Sequence, residues 1–310
     1  MAELLPLVYH PIYSDFPLPD GHRYPLQKYR MLKEHIESDV QMHSAVAFVE
    51  PASLNPSRLK SIHRPEYVDA LLAGSLPLAK MRRIGFPWSE ALLRRSLTSL
   101  GGTLDTVQQA MECGIAIHLT GGYHHAHYDF GSGFCLFNDL ILAATEALTY
   151  PGIERVLIVD CDVHHGDGTA ALAVDNSQII TLSIHSEKNF PSRKPPSDID
   201  IGLPNGTDSE SYLHHFCPML TLALAQYQPD FVIYDAGVDI HTDDELGYLN
   251  VCSDGILERD RFVLTQCRTL DIPVAAVIGG GYRTEQEKLV PLHANLISAA
   301  LSVTAFGANQ

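Results

Sequence analysis

The segment Asp160-Cys161-Asp162-Val163-His164 carries the residue types of a metal site. Alternation along an extended chain would place Asp160, Asp162 and His164 on one side. Buried carboxylates are costly to desolvate unless a cation or several donors compensate them. With Asp239, the segment offers an Asp-His-Asp set and an open fourth position, which suits catalytic zinc, although iron or another divalent metal is also compatible. Taken alone, the segment could also be an acidic loop with a structural histidine.

His124 and His125 follow a Gly121-Gly122 turn and are candidates for acid–base catalysis. Amide hydrolysis needs a base that takes a proton from water and an acid that protonates the leaving amine. Carboxylates such as Asp160 and Asp167 could set the tautomers and pKa values of both imidazoles. Adjacent residues of an extended segment point in opposite directions, so a kinked turn is required. The pair could instead be further metal ligands or polar loop residues.

Three aromatic residues could complete such a site. Tyr282 follows three glycines, and its hydroxyl could stabilise the oxyanion that forms when water attacks a carbonyl. Phe134 and Phe190 lie in predicted loops, and two aromatic rings beside a cleft can line a tube for an aliphatic chain. Packing in a loop or in the core is the alternative for each of them.

Short apolar runs bounded by turn residues predict the strands that position these side chains: Ala45–Val49, Ile115–Leu119, Arg155–Val159, Ile179–Ile184, Phe231–Tyr234 and Val274–Ile278. Helical patterns alternate with them: Leu26–Ile36, Ser89–Glu112, Asp139–Leu148, Ser209–Tyr227, Gly255–Leu270 and Glu285–Leu301. The alternation predicts a three-layer α/β/α protein with a central, mainly parallel sheet. Four polar clusters directly follow strands, so we expect them to meet at the carboxyl edge of that sheet.

Composition restricts the class of protein and its partners. The 310 residues contain no linker-like change in composition, and we predict one domain, residues 1–310, with ordered loops at 15–25 and 191–204. The net charge of −16 argues against nucleic acid and is compatible with a cationic substrate. No apolar run reaches membrane-spanning length, and no signal peptide is recognisable. Six scattered cysteines suit a reducing compartment, so we expect a cytoplasmic protein that does not engage membranes.

In their order along the chain, these motifs resemble those of the histone deacetylase superfamily. The resemblance extends from His22-Arg23-Tyr24-Pro25 to Gly279-Gly280-Gly281-Tyr282. It includes Gly121-Gly122-Tyr123-His124-His125, Gly133-Phe134-Cys135 and the segment from Asp160 to Gly168. The stretch from Tyr234 to Ile240, followed by Asp244-Glu245-Leu246-Gly247, is most similar to the class IV branch and to bacterial deacetylase-like amidohydrolases.

The resemblance implies an arginase/deacetylase fold and an enzyme that removes an acetyl or longer fatty acyl group from the ε-amine of lysine or a similar amine. It implies one catalytic zinc ion per chain, held by Asp162, His164 and Asp239. It further implies that His125 is the general base and acid while His124 assists electrostatically.

The same resemblance implies roles for residues around this centre. Asp160 would pair with His124, Asp167 would pair with His125, and Tyr282 would bind the scissile carbonyl together with zinc. An acyl-lysine channel would be lined by Gly133, Phe134, Phe190 and Leu246. A structural potassium ion would be held by Asp160, Asp162, His164, Ser183 and Ile184.

Three other functions remain open from the sequence. An acetylpolyamine or other small-molecule deacetylase could use the same scaffold. An arginase-like ureohydrolase would need two manganese ions, and an inactive scaffold would be expected to lose part of the catalytic set. The segments Arg82–Trp88 and Ile240–Asp243 depart from the family pattern, so the resemblance leaves the identity of the substrate open.

Overall fold

The computed structural model describes residues 4–307 of the chain, and they are built around one sheet of eight strands. The strand order is β2-β1-β3-β8-β7-β4-β5-β6. All seven strand pairings are parallel, so the prediction of a mainly parallel sheet is confirmed. The strands are β1 (Leu5–Val8), β2 (Val46–Val49), β3 (Ile115–His118), β4 (Val156–Asp160), β5 (Ile179–Ser186), β6 (Ile199–Leu203), β7 (Phe231–Asp235) and β8 (Val274–Val277).

Helices flank this sheet and complete the predicted three-layer α/β fold. They are α1 (Lys28–Ser38), α2 (Val40–Ala45), α3 (Pro65–Leu72), α4 (Leu78–Ile84), α5 (Glu90–Cys113), α6 (Asp139–Ala147), α7 (Asp167–Ala173), α8 (Ser209–Tyr227), α9 (Ser253–Thr269) and α10 (Val290–Gly307). The central strands are buried along their whole length, as expected for a parallel sheet covered on both faces. In the described part of the chain, no helix combines the length and apolar character that crossing a bilayer requires.

The six predicted strands and six predicted long helices are present, with small shifts at their ends. The last helix starts at Val290 rather than Glu285, because residues 286–289 form a turn of 3₁₀ helix. The prediction of a loop throughout 191–204 is wrong, since β6 lies within it. That strand is an edge strand with alternating burial, and among residues 4–307 its strand partner is β5 alone. Strand β1 has four residues and contains a proline, so its sequence signal is weak.

The order of the strands explains how the site is assembled. The four polar clusters follow β3, β8, β7 and β4, which are consecutive neighbours in the sheet. Because these strands are parallel, their carboxyl ends lie on one edge, and the loops beyond them converge. The expectation that chain-distant clusters meet at one edge is confirmed.

Candidate active site

Asp162, His164 and Asp239 form a buried group that could hold a metal ion. One ligand atom from each lies within 4.8 Å of the others. Nδ1 of His164 is 2.8 Å from Oδ1 of Asp162 and 3.2 Å from Oδ2 of Asp239. The first two residues lie in the loop between β4 and α7, and Asp239 lies in the loop after β7. The structure therefore brings together the three residues that were predicted as metal ligands.

The electrostatics of this group fit a cation. Burial and the charge of Asp162 raise the pKa of Asp239 to about 6. Burial lowers the pKa of His164, but hydrogen bonds to both carboxylates outweigh it and raise the pKa to about 10. Oδ2 of Asp239 is buried, and apart from its 3.2 Å contact with Nδ1 of His164, which is not a well-aligned hydrogen bond, it has no hydrogen-bond partner among the described residues. A divalent cation would compensate both carboxylates and this oxygen, so the group fits the zinc ion that the sequence implies.

The two histidines predicted for acid–base chemistry lie side by side next to this group. Nδ1 of His124 is 2.7 Å from Oδ2 of Asp160, and Nδ1 of His125 is 2.6 Å from Oδ1 of Asp167. Their Nε2 atoms are 3.1 Å apart. The required kink is present, because His124 and His125 lie in a turn, and Gly121 and Gly122 adopt φ angles of 102° and 76° just before Tyr123 and the pair. Both predicted His–Asp pairs are therefore formed.

The two imidazoles have opposite electrostatic character. Burial, followed by the charge of His124, lowers the pKa of His125 to about 3 despite the hydrogen bond to Asp167. For His124, burial is outweighed by Asp160 and Asp162, whose charges raise the pKa well above its usual value. His125 is thus neutral near pH 7, and its Nε2 can accept a proton.

Asp160 belongs to a second buried group rather than to the first. Strand β4 ends at Asp160, so the chain does not continue in the extended form that would have aligned this residue with Asp162 and His164. It instead forms a group with His124 and Asp235. Neither carboxylate oxygen of Asp235 has a hydrogen-bond partner among the described residues.

The residues predicted for potassium lie around the ends of β4 and β5. Asp160 is opposite Ser183 in the sheet register, and Ile184 follows on the same strand. The hydroxyl of Ser183 is 3.0 Å from Nδ1 of His185. A potassium ion at this position stays a prediction.

A cavity of about 890 Å³ opens above the metal group and His125. It is lined by the residues predicted for the channel and by the predicted oxyanion residue: Gly133, Phe134, Phe190, Leu246 and Tyr282. The ring of Phe190 packs edge-on against His125, with centroids 4.9 Å apart. Gly133 has a φ of 52°, and a Cβ there would collide with the ring of His125, so only glycine permits this close approach.

Tyr282 reaches the cavity from a loop that packs on the metal group. Its ring centroid is 6.2 Å from that of His164. A Cβ at Gly280 would meet the carboxylates of Asp239 and Asp162, so this loop can pass the ligands only as glycine. The backbone N–H of Tyr282 donates to Oδ2 of Asp244 at 2.6 Å, which fixes the end of the loop.

Sequence reasoning missed Lys28, which supports the same loop from below. Its side chain is buried, and Nζ donates to the carbonyl of Gly280 and lies 3.5 Å from those of Gly279 and Gly281. The sequence feature that could have indicated a buried role for Lys28 is its position on α1. Lys28 is spaced four and eight residues from the buried Leu32 and Ile36, on the face that packs inward.

Three other histidines, His63, His214 and His215, lie outside the site. His63 is buried, with Nδ1 2.8 Å from the carbonyl of His127 and Nε2 accepting from the backbone of Asn138. His214 and His215 are exposed on α8.

Comparisons with known proteins place this arrangement in a family. This α/β protein gathers a buried Asp-His-Asp group, which could hold a metal ion, and a pair of neighbouring histidines at one edge of a parallel sheet. Residues 22–295 match the model of the histone deacetylase domain. The chain therefore belongs to the histone deacetylase family.

Individual relatives agree with this assignment. An uncharacterized protein of Picosynechococcus is 44% identical over 96% of this chain and 99% of its own length. Histone deacetylase 2 of Arabidopsis thaliana is 30% identical over 79% of this chain, and histone deacetylase 1 of Homo sapiens is 27% identical over 84%. The chain spans 65% and 58% of these two proteins, respectively. Assignment to the class IV branch stays a prediction.

Proposed function

We propose that this protein is a zinc-dependent amidohydrolase that removes an acetyl or longer acyl group from the ε-amine of lysine or a similar amine. The observation that supports it is the convergence of the Asp162, His164 and Asp239 group, His125 and Tyr282 at the base of one cavity. Zinc would supply Lewis-acid chemistry there, polarising the scissile carbonyl and the attacking water. The described residues would act as a single catalytic domain.

In this proposal, His125 carries both proton transfers. Its neutral imidazole accepts a proton from the attacking water at Nε2, and Asp167 on Nδ1 holds the ring and stabilises the imidazolium that results. The same Nε2 then gives its proton to the departing amine nitrogen. The charges of Asp160 and Asp162 outweigh burial and raise the pKa of His124, which favours a positive charge near the reacting atoms.

Tyr282 and the cavity wall orient the substrate. The phenol of Tyr282 donates a hydrogen bond to the carbonyl oxygen as negative charge develops on it. Phe134 and Phe190 contact the aliphatic stem of the lysine and exclude water from the amide. Gly133 lets the cavity wall pass close to the ring of His125.

The test is a zinc-reconstituted assay with lysine peptides that carry acetyl and longer acyl groups, together with acetylspermidine. We expect release of the acyl group from at least one peptide, with loss of activity in chelator and recovery with added zinc. Hydrolysis of acetylspermidine alone would favour the small-molecule alternative. Absence of turnover with every amide, despite full zinc loading, would contradict the proposal.

A further inference from the structure

The mouth of the catalytic cavity has the opposite charge balance to the rest of the chain. The exposed residues Arg23, Arg83 and Arg193 line it, and Glu245 is the exposed acidic residue that lines it with them. The whole chain has 21 basic and 37 acidic residues. The mouth, with three exposed arginines and one exposed glutamate, is therefore locally basic in a chain that is acidic as a whole.

None of these three arginines forms an ion pair with a carboxylate between residues 4 and 307. Hydrogen bonds from Thr284, followed by the charges of Arg283 and Arg23, lower the pKa of Glu245, so Arg23 has a carboxylate nearby. Arg83 and Arg193 are the two mouth arginines that remain for a ligand. Their guanidinium donors are available to a ligand at the mouth.

Arg83 is held in position without using its hydrogen-bond donors. Its guanidinium carbon lies 3.8 Å from the centroid of the Phe130 ring. Phe130 stacks on His127, with centroids 4.3 Å apart and an interplanar angle of 22°, and Nε2 of His127 is 2.9 Å from Asp167. A stacked guanidinium keeps the N–H groups at its edge free for a carboxylate. Through Phe130 and His127, the stack connects Arg83 to Asp167 at the bottom of the cavity.

Arg193 is carried on a loop whose backbone is tied down. The neighbouring Lys194 donates from Nζ to the carbonyls of Asn189 and Pro191, at 2.8 and 2.7 Å. This loop also presents Phe190 to the cavity. A charge at Arg193 therefore lies on the same segment as the wall of the channel.

Building on the proposed function, we propose that Arg83 and Arg193 form an anion-binding rim that selects acyl-lysine in an acidic peptide segment. Once the acyl-lysine side chain occupies the channel, the peptide residues that flank it lie at the mouth. Carboxylates of flanking Asp or Glu residues would bind the two guanidinium groups there. A lysine- and arginine-rich peptide, or an acetylated polyamine with its remaining cationic amines, would meet like charge at the same place.

The experiment compares acetyl-lysine peptides of one length whose flanking residues are glutamate, glutamine or lysine. We expect kcat/KM to be roughly three- to tenfold higher for the glutamate peptide than for the lysine peptide at low salt, and the ratio should shrink at high salt. The double variant R83Q/R193Q should bring the ratio close to one. Equal kcat/KM for the three peptides, or an unchanged ratio in the double variant, would overturn the proposal.

Arg82 provides the matched control. It is the neighbouring exposed arginine on α4, but it lines a separate groove with Met81 and Trp88. The variant R82Q removes the same formal charge and should preserve the preference for the glutamate peptide. Loss of the preference in R82Q would show that net charge, rather than the rim, determines it.

A binding measurement separates this proposal from that of the catalytic function. Fluorescence anisotropy with the labelled glutamate and lysine peptides, in chelator, reports affinity without turnover. Tighter binding of the glutamate peptide that is lost in R83Q/R193Q would support the rim even if no peptide were hydrolysed. Hydrolysis of all peptides with no charge preference would refute the rim and leave the catalytic proposal intact.

Discussion

The carboxylate of Asp167 lies 2.6 Å from Nδ1 of His125, and its other oxygen lies 2.9 Å from Nε2 of His127. One carboxylate thus orients the proposed catalytic base and anchors the ring stack that leads to Arg83. Because Nδ1 of His125 is held by this carboxylate, Asp167 fixes Nε2 as the nitrogen of His125 that faces the cavity.

Replacing Asp167 with asparagine should impair catalysis without removing the metal. The amide keeps the size of the side chain but loses the charge that stabilises the protonated His125. We expect kcat to fall by about 10²-fold or more, within the range of general acid–base contributions, while zinc content stays unchanged. Steady-state kinetics and elemental analysis on the same preparation check this. A normal kcat would remove Asp167 from the catalytic arrangement.

The sequence predicted best those strands whose apolar run ends directly in a cluster of polar, chemistry-bearing residues. The buried strands β4, β7 and β8 are apolar runs that end in polar clusters, so both their existence and the shared edge followed from the pattern. The edge strand β6 was missed although its sequence, Ile199-Asp200-Ile201-Gly202-Leu203, alternates apolar with polar or small residues, because the prolines on both sides of it indicated a loop.

Long-range contacts explain what sequence reasoning missed at the site. Lys28 is 252 residues from Gly280, and nothing local indicates that an amine on α1 satisfies carbonyls of that loop. Likewise, the grouping of Asp160 with Asp235 depends on adjacent strands that are distant along the chain. Local alternation placed Asp160 with Asp162 and His164, and it failed because β4 ends there.

Removing either aspartate of the metal group should abolish both zinc binding and hydrolysis. In Asp162→Ala or Asp239→Ala, His164 keeps only one carboxylate neighbour. Elemental analysis should find about one zinc per wild-type chain and much less in either variant. Full zinc occupancy in a variant would refute the assignment of the ligands.

The metal count also tests the ureohydrolase alternative. The group formed by His124, Asp160 and Asp235 lies beside the first group, so two transition-metal ions per chain would favour a binuclear site. One ion per chain, with loss of that ion in Asp239→Ala, agrees with the deacylase.

Phe190 should contribute to the affinity for ligands that fill the channel. Its ring packs edge-on against His125 and lines the cavity, although 44% of the residue is exposed. A hydroxamate with an aliphatic linker would place that linker against this ring. We expect Phe190→Glu to weaken its binding by about tenfold or more, since a charge replaces an apolar contact. Calorimetry with zinc-loaded protein measures the change, and unchanged affinity would exclude Phe190 from the channel.

Lys28 should act through the position of Tyr282. Replacement by methionine removes the donor for the buried carbonyl of Gly280, at a cost of about 1–3 kcal/mol in the free energy of unfolding. If the role is positioning, kcat should also fall in the folded protein while KM changes less, and Lys28→Arg should restore much of it. Chemical denaturation and kinetics together separate the two effects. A kcat that is unchanged after correction for the folded fraction would leave Lys28 with a structural role alone.

Tyr282 gives the most direct test of how the carbonyl is bound. The loop that carries it is fixed by Lys28, by Asp244 and by packing against Asp239, so the phenol is held at the cavity before substrate arrives. A preorganised donor acts on charge that develops in the transition state, and such a donor is typically worth about 10²–10³ in rate. Tyr282→Phe removes only the hydroxyl. We therefore expect kcat to fall by about that factor, with zinc content and the free energy of unfolding close to wild type, as measured by kinetics, elemental analysis and chemical denaturation. A near-wild-type kcat on the best substrate would mean that His124 or a second metal stabilises the oxyanion instead.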